Sequence, residues 1–164
     1  MANEIAIQPN QYLTFTLGQE LYAVAIDKVR EVLDYTNITK VPRMPEFLRG
    51  IINLRGNVVA VIDLRLNLGM KAIERSVDTC IVIVEVKIGE DSLQLGALAD
   101  SVQEVVDIEP EQIAPPPRIG AKLNSEFIKG MGKRDDKFVI ILDIDKVLSL
   151  AELEAANSAI SNVA

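Results

Sequence analysis

The 164-residue chain contains no histidine, no tryptophan and a single cysteine, and each shortage removes a class of chemistry. Without imidazole there is no histidine general base, no Cys–His pair and almost no zinc arrangement of the usual kind. One cysteine excludes an internal disulfide. Cys80 opens the apolar run Cys80-Ile-Val-Ile-Val84, where a buried, unreactive thiol with no redox role is expected. Only three Tyr and four Phe accompany a net charge of −7, which leaves few stacking platforms and no broad cationic face for nucleic acid. No apolar run approaches the roughly 18 residues of a membrane span, and MANEIAIQPNQ at the start lacks a basic stretch followed by an apolar core. A cytoplasmic protein without direct membrane insertion is expected. The phosphate-loop pattern is missing too, since Gly130-Met-Gly132-Lys133 has no helix signal after it. The carboxylates sit singly and no nucleophile–base pair can be named, so the expectation is a non-enzyme with no cofactor and no metal. A hydrolase with two convergent carboxylates and a β-barrel nucleic-acid binder stand as the alternatives from other classes.

What is present is an ordinary globular composition, 49% hydrophobic and 25% charged, and an internal duplication. Val29-Arg-Glu-Val-Leu-Asp34 recurs as Val102-Gln-Glu-Val-Val-Asp107, and Glu46-Phe-Leu-Arg-Gly50 recurs as Glu126-Phe-Ile-Lys-Gly130. Gly50 precedes Asp63 by thirteen positions, as Gly130 precedes Asp143. Asp63 and Asp143 each follow an apolar strand, where an acidic residue begins a turn or caps a helix. Gly, Pro, Asn and Asp punctuate each half into short strands, near 12–17, 21–26, 31–35, 51–54 and 58–62 in the first. Five strands per half suit a small barrel, which removes free sheet edges. Val58–Ile62 and Phe138–Leu142 are apolar on both faces, so both faces must be covered, and two barrels packed around a shared apolar layer are inferred. Approximate subdomains 12–70 and 79–150 are expected, with strand exchange an option, joined by the polar stretch 71–78. Helix is scarce. Short helical turns are expected over Asp27–Arg30 and Asp63–Leu68, and Ser149-Leu-Ala-Glu152 has the spacing of a capping box ahead of a C-terminal helix over about 149–160. The triple proline in Ile113–Ile119 predicts an extended, exposed loop.

Between Lys40 and Arg65 the acidic chain turns net positive, with Lys40, Arg43, Arg49, Arg55 and Arg65 against Glu46 and Asp63, a candidate partner surface. Within it, Ile51–Leu54 and Val58–Ile62 flank Arg55-Gly56-Asn57, which reads as a three-residue hairpin loop holding an arginine at its tip. The second half has Arg134-Asp-Asp-Lys137 at the corresponding turn, so hairpin closure alone does not require Arg55. A guanidinium there can fork onto a carboxylate, with Glu31 an internal candidate.

The run Phe47-Leu-Arg-Gly-Ile-Ile-Asn-Leu-Arg-Gly-Asn-Val-Val-Ala-Val-Ile-Asp-Leu-Arg65 resembles the signature of the CheW family, adaptors that join a chemotaxis histidine kinase to methyl-accepting receptors. The likeness extends from Tyr12–Gly18 through Val29–Val32 and Val102–Val105 to Asp143. It implies a single CheW-like domain over 1–164, mainly β, with two five-stranded β-barrels of the Src-homology type side by side. Its implied partners are the regulatory domain of a CheA-type histidine kinase and the cytoplasmic tip of a methyl-accepting chemoreceptor, with the protein cytoplasmic and associated with receptor arrays. By the same resemblance, Val29, Val32, Ile38 and Gly50 would lie in or beside the kinase-contact surface. Glu31, Arg55, Gly96, Ala99, Val102 and Val105 would belong to a receptor-facing groove between the barrels, and the loop at Ala114–Ile119 to a further lateral contact. The runner-up is a CheW-like adaptor of a non-flagellar chemosensory-type pathway.

Overall fold

The computed structural model describes residues 10–115, 127–134 and 136–161. In chain order these form β1 (Gln11–Leu17), β2 (Glu20–Ala25), β3 (Val29–Asp34), β4 (Leu48–Leu54), β5 (Asn57–Asp63), α1 (Leu64–Asn67), β6 (Cys80–Ile88), β7 (Asp91–Ala99), β8 (Ser101–Asp107), β9 (Ile113–Ala114), β10 (Ile128–Arg134), β11 (Lys137–Leu142), α2 (Ile144–Val147) and α3 (Leu150–Ser161). The fold is mainly β, as expected, but the strands sort into sheets of six and five. Sheet 1 runs β8-β1-β2-β11-β10-β9 and sheet 2 runs β3-β6-β7-β5-β4. The two halves have therefore exchanged their first hairpins. β1–β2 joins the second half's strands through a parallel pairing with β11, and β6–β7 joins the first half's through a parallel pairing with β5. The five strands of the first half thus do not make one sheet. Neither 12–70 nor 79–150 is a sheet by itself, and the exchange allowed in the sequence reading is how the sheets are built.

Each sheet curls back on itself. After β3 the chain returns so that Thr39 bridges Ile51 on β4, with N···O distances of 2.9 and 2.8 Å, and after β8 it returns as β9 against Met131 and Gly132 of β10. These returns explain the recurring glycines. A Cβ on Gly50, whose φ is +145°, would stand 2.2 Å from the Thr39 carbonyl oxygen, and one on Gly130 would stand 2.5 Å from Ile113 Cγ2. The recurring aspartates have an equally local cause. Asp63 N donates to Phe47 O and Asp143 N to Phe127 O, both at 2.7 Å, and each side chain caps the short helix that follows, accepting from Arg65 N at 3.0 Å and Asp145 N at 3.2 Å.

The strands that are apolar on both faces serve two cores. On β5, Ala60 and Ile62 face the layer between the sheets, while Val59 and Val61 fill the interior of curled sheet 2 with Ile52, Ile81 and Ile83. On β11, Leu142 faces the shared layer and Val139 and Ile141 fill the interior of sheet 1 with Ala23, Val106 and Ile108. Residues two apart share a face of a strand, so both alternating sets must be apolar here. α3 starts from the capping box read in the sequence, with Ser149 N to Glu152 Oε1 at 2.9 Å and Glu152 N to Ser149 Oγ at 3.1 Å. It follows sheet 1 in sequence but packs on β4 and β5, placing Leu153, Ala156 and Ala159 in the shared core. The turn expected at 27–30 is a 3-10 turn over Ile26–Lys28. Of the proline loop, Ala114 and Pro115 are exposed, whereas Ile119, like Glu126, lies outside the described residues.

Candidate partner-binding site

The β4–β5 hairpin pairs Leu54 with Asn57, so its loop has two residues and not three. Arg55 (φ 50°) and Gly56 (φ 89°) both take positive φ, the geometry of the tight turn whose twist matches that of the flanking strands. Glycine adopts this freely. Arginine does so less readily, and Asn53 Oδ1 steadies the turn by accepting from Gly56 N at 2.8 Å. The hairpin leans over the seam between the two edge strands of sheet 2, where β3 supplies Glu31. Arg55 Nη1 donates to Glu31 Oε1 at 3.2 Å and Nη2 donates to Oε2, a forked pair across the seam. That hydrogen bonding, opposed by slight desolvation, holds the Glu31 carboxyl below its ordinary value. The Arg55 side chain is 69% exposed, so the pair lies open to a partner.

The other candidates separate into surface and interior. Val32, next to Glu31 but on the opposite face of β3, is 40% exposed, and Val105 is 47% exposed at the equivalent place on β8. Val29 and Val102 are half-buried against the shared core, and Ile38 is half-buried against the interior of sheet 2. Gly50, Gly96 and Ala99 are buried. Gly96 is forced by packing, because a Cβ there would stand 2.8 Å from Ile81 Cγ2. These three lie beneath the surface of the free chain and shape the framework, whereas Val32 and Val105 lie on it, since burial separates alternate residues within a strand.

The basic segment is also less available than its sequence suggests. Arg65 is bound on two sides: its Nε and Nη2 donate to Asp100 at 3.0 and 2.6 Å, and its Nη1 donates to Lys71 O at 3.1 Å. Arg49 lies 3.5 Å from the buried Asp63, whose carboxyl is pushed up by burial against the opposing Arg65 N–H and Arg49 charge. Lys40 and Arg43 are exposed, with no ion pair among the described residues. Cys80 is half-buried rather than buried; its Sγ donates to Asp78 O at 3.3 Å, and desolvation pushes the thiol up. Among the described residues no group of three or more His, Cys, Asp or Glu is placed to hold a metal ion, and no helix is long and apolar enough to cross a membrane.

Sequence reasoning missed two ion pairs at the sheet junctions, Arg65–Asp100 and Lys28–Asp145, and the 56% exposed Phe138. A signal for the pairs existed, since Arg65 and Asp145 occupy the same place after the two repeated aspartates.

Known proteins share this arrangement. A CheW-like domain is matched over residues 11–152. The chain is 34% identical over 143 residues to the chemotaxis protein CheW of Klebsiella aerogenes, covering 87% of this chain and 84% of that one. It is 32% identical to the chemotaxis protein CheW of Rhizobium meliloti, covering 89% and 92%. The crystal structure of scaffolding protein TtCheW from Thermoanaerobacter tengcongensis superposes with a TM-score of 0.77 at 37% identity, over 88% of this chain and 96% of that one. With exchanged hairpins, a matched domain and a superposable scaffold all in agreement, the chain belongs to the CheW-like family of chemotaxis scaffolding proteins.

Proposed function

We propose that this chemotaxis adaptor works by holding two partners at once: the regulatory domain of a CheA-type histidine kinase, and the cytoplasmic tip of a methyl-accepting chemoreceptor. The protein would be cytoplasmic and carried into receptor arrays by those contacts. The observation that supports this best is the exposed Glu31–Arg55 fork, a charged anchor beside apolar strand residues. A helical receptor tip needs an apolar trough with a few polar anchors. Arg55 can exchange its internal partner for a carboxylate on the helix, or present the intact pair to it. Val32 offers the kinase an exposed apolar contact on the other face of β3, with Val29 half-buried against the shared core and Ile38 half-buried against the interior of sheet 2. Individually moderate affinities suffice, because an array raises the effective concentration of each partner.

Titration of purified receptor tip and kinase regulatory domain against wild type, Arg55→Ala and Glu31→Ala tests the reading. Selective loss of receptor affinity with an unchanged melting curve is expected for Arg55→Ala. Equal loss for both partners, or loss of stability alone, would reduce the fork to a structural element.

A further inference from the structure

Each of the two junctions where the chain crosses between sheets carries an ion pair, and the junction supplies the cation in one and the aspartate in the other. On leaving β2 for β3, the chain presents Lys28, whose Nζ donates to Asp145 Oδ2 at 2.7 Å. Asp145 lies on α2, at the end of sheet 1, and its Oδ1 accepts from Lys87 N of sheet 2 at 2.9 Å. On leaving β7 for β8, the chain presents Asp100, which receives Arg65 of α1, at the end of sheet 2. Asp100 Oδ2 also accepts from Gly18 N, at the β1–β2 turn of sheet 1, at 2.6 Å, and its own N–H donates to Thr16 O at 3.0 Å. In both places an aspartate binds a cation on one side and a backbone N–H of the opposite sheet on the other. All four side chains are at least about three-quarters buried, with relative exposures of 24% and 27% in one pair and 11% and 22% in the other.

We propose that these pairs are clasps that fix the angle between the sheets, so that the Arg55 hairpin on sheet 2 and the surfaces of sheet 1 are held at one separation. Packing of the apolar shared layer favours a range of angles between the twisted sheets, but the hydrophobic effect itself is non-directional. Charge-assisted hydrogen bonds narrow that range, and they stand at the two places where the chain crosses from sheet to sheet.

The experiment is pulsed dipolar spectroscopy on the full chain with spin labels at exposed positions of β7 and β10, introduced by Gln94→Cys and Lys133→Cys in a Cys80→Ser background. With the clasps intact one narrow distance is expected; Arg65→Gln with Lys28→Gln should at least double its width while the protein still melts cooperatively, and Arg65→Lys should restore part of the narrowing. An unchanged width, with or without a lower melting temperature, overturns the proposal and leaves the pairs as stabilising contacts only. Should the double variant not fold, the single variants carry the same measurement, and unchanged widths in both overturn it equally. A second readout rests on the proposed function: the clasp variants should keep each binary affinity and lose simultaneous occupancy by both partners. The distances are measured without partners, so failure of the adaptor reading and failure of the clasps are separately visible.

Discussion

The seams of the two curled sheets are built alike and finished differently. On sheet 2, Glu31 of β3 receives the forked Arg55 from the tip of the β4–β5 hairpin. On sheet 1, Glu104 stands at the same place on β8, but the arginine facing it is Arg134, the last residue of β10, at 3.9 Å. The position equivalent to Arg55 is Asp135, outside the described residues, and Asp136 (φ 65°) takes the place of Gly56. Duplication has kept what closes each sheet, the glycine under the returning chain and the aspartate capping the helix. It has let the hairpin tip diverge. A feature retained in both halves is explained by folding; one found in a single half needs another explanation, and Arg55 is the clearest case.

Replacing the glycines breaks the shared framework and should produce the largest effects. Gly50→Ala places a Cβ against the Thr39 carbonyl at a φ that side chains rarely adopt, and a loss of about 3 kcal/mol or more is expected in urea unfolding. Gly130→Ala places a Cβ 2.5 Å from Ile113 Cγ2 and 2.9 Å from the Ala114 carbonyl oxygen, without the positive φ of Gly50, and should cost about 1–3 kcal/mol. Equal losses would mean that the two returns are equally tight. The hairpin tips come next. Arg55→Ala should lower receptor-tip affinity by tens of fold, because a charge desolvated on binding leaves its partner unpaired, whereas Arg134→Ala should leave it unchanged. Isothermal titration of both variants sharpens the contrast, and Arg55→Lys should recover only part of the loss, since an ammonium lacks the fork.

The equivalent edge valines give a smaller contrast. Val32→Asp should weaken kinase binding by more than about 1 kcal/mol with the fold intact, and Val105→Asp should spare it. Val29→Asp, against the shared core, should lower the melting temperature instead. The smallest effect is with pH. Burial raises Asp100 and Asp145, but the Arg65 and Lys28 hydrogen bonds and the backbone N–H groups outweigh it, leaving both carboxyls below their ordinary 3.8. Their stabilisation is therefore complete above the ordinary carboxylate range and lost as pH falls through the lowered values. Asp100→Asn should flatten that acid limb in stability measured from pH 6 to pH 2, most visibly below 3.8.

The sequence alone determined the duplication, the strand-rich fold, the doubly covered strands, the capping box at Ser149 and the family, because these depend on local pattern and on spacing along the chain. It also singled out Arg55, since one half of the molecule served as a control for the other. Tertiary structure alone decided that the hairpins are exchanged, because a parallel pairing between β2 and β11 leaves no mark in either strand's own pattern. It decided that Gly50, Gly96 and Ala99 lie inside while Val32 and Val105 lie outside, because strand alternation assigns a face but not what covers it. It decided, finally, that Arg65 is enclosed by Asp100 and Lys71 while Arg55 stands exposed above its seam: a charge has the same letter in the sequence whether its partner is solvent, another protein, or an aspartate thirty-five residues away.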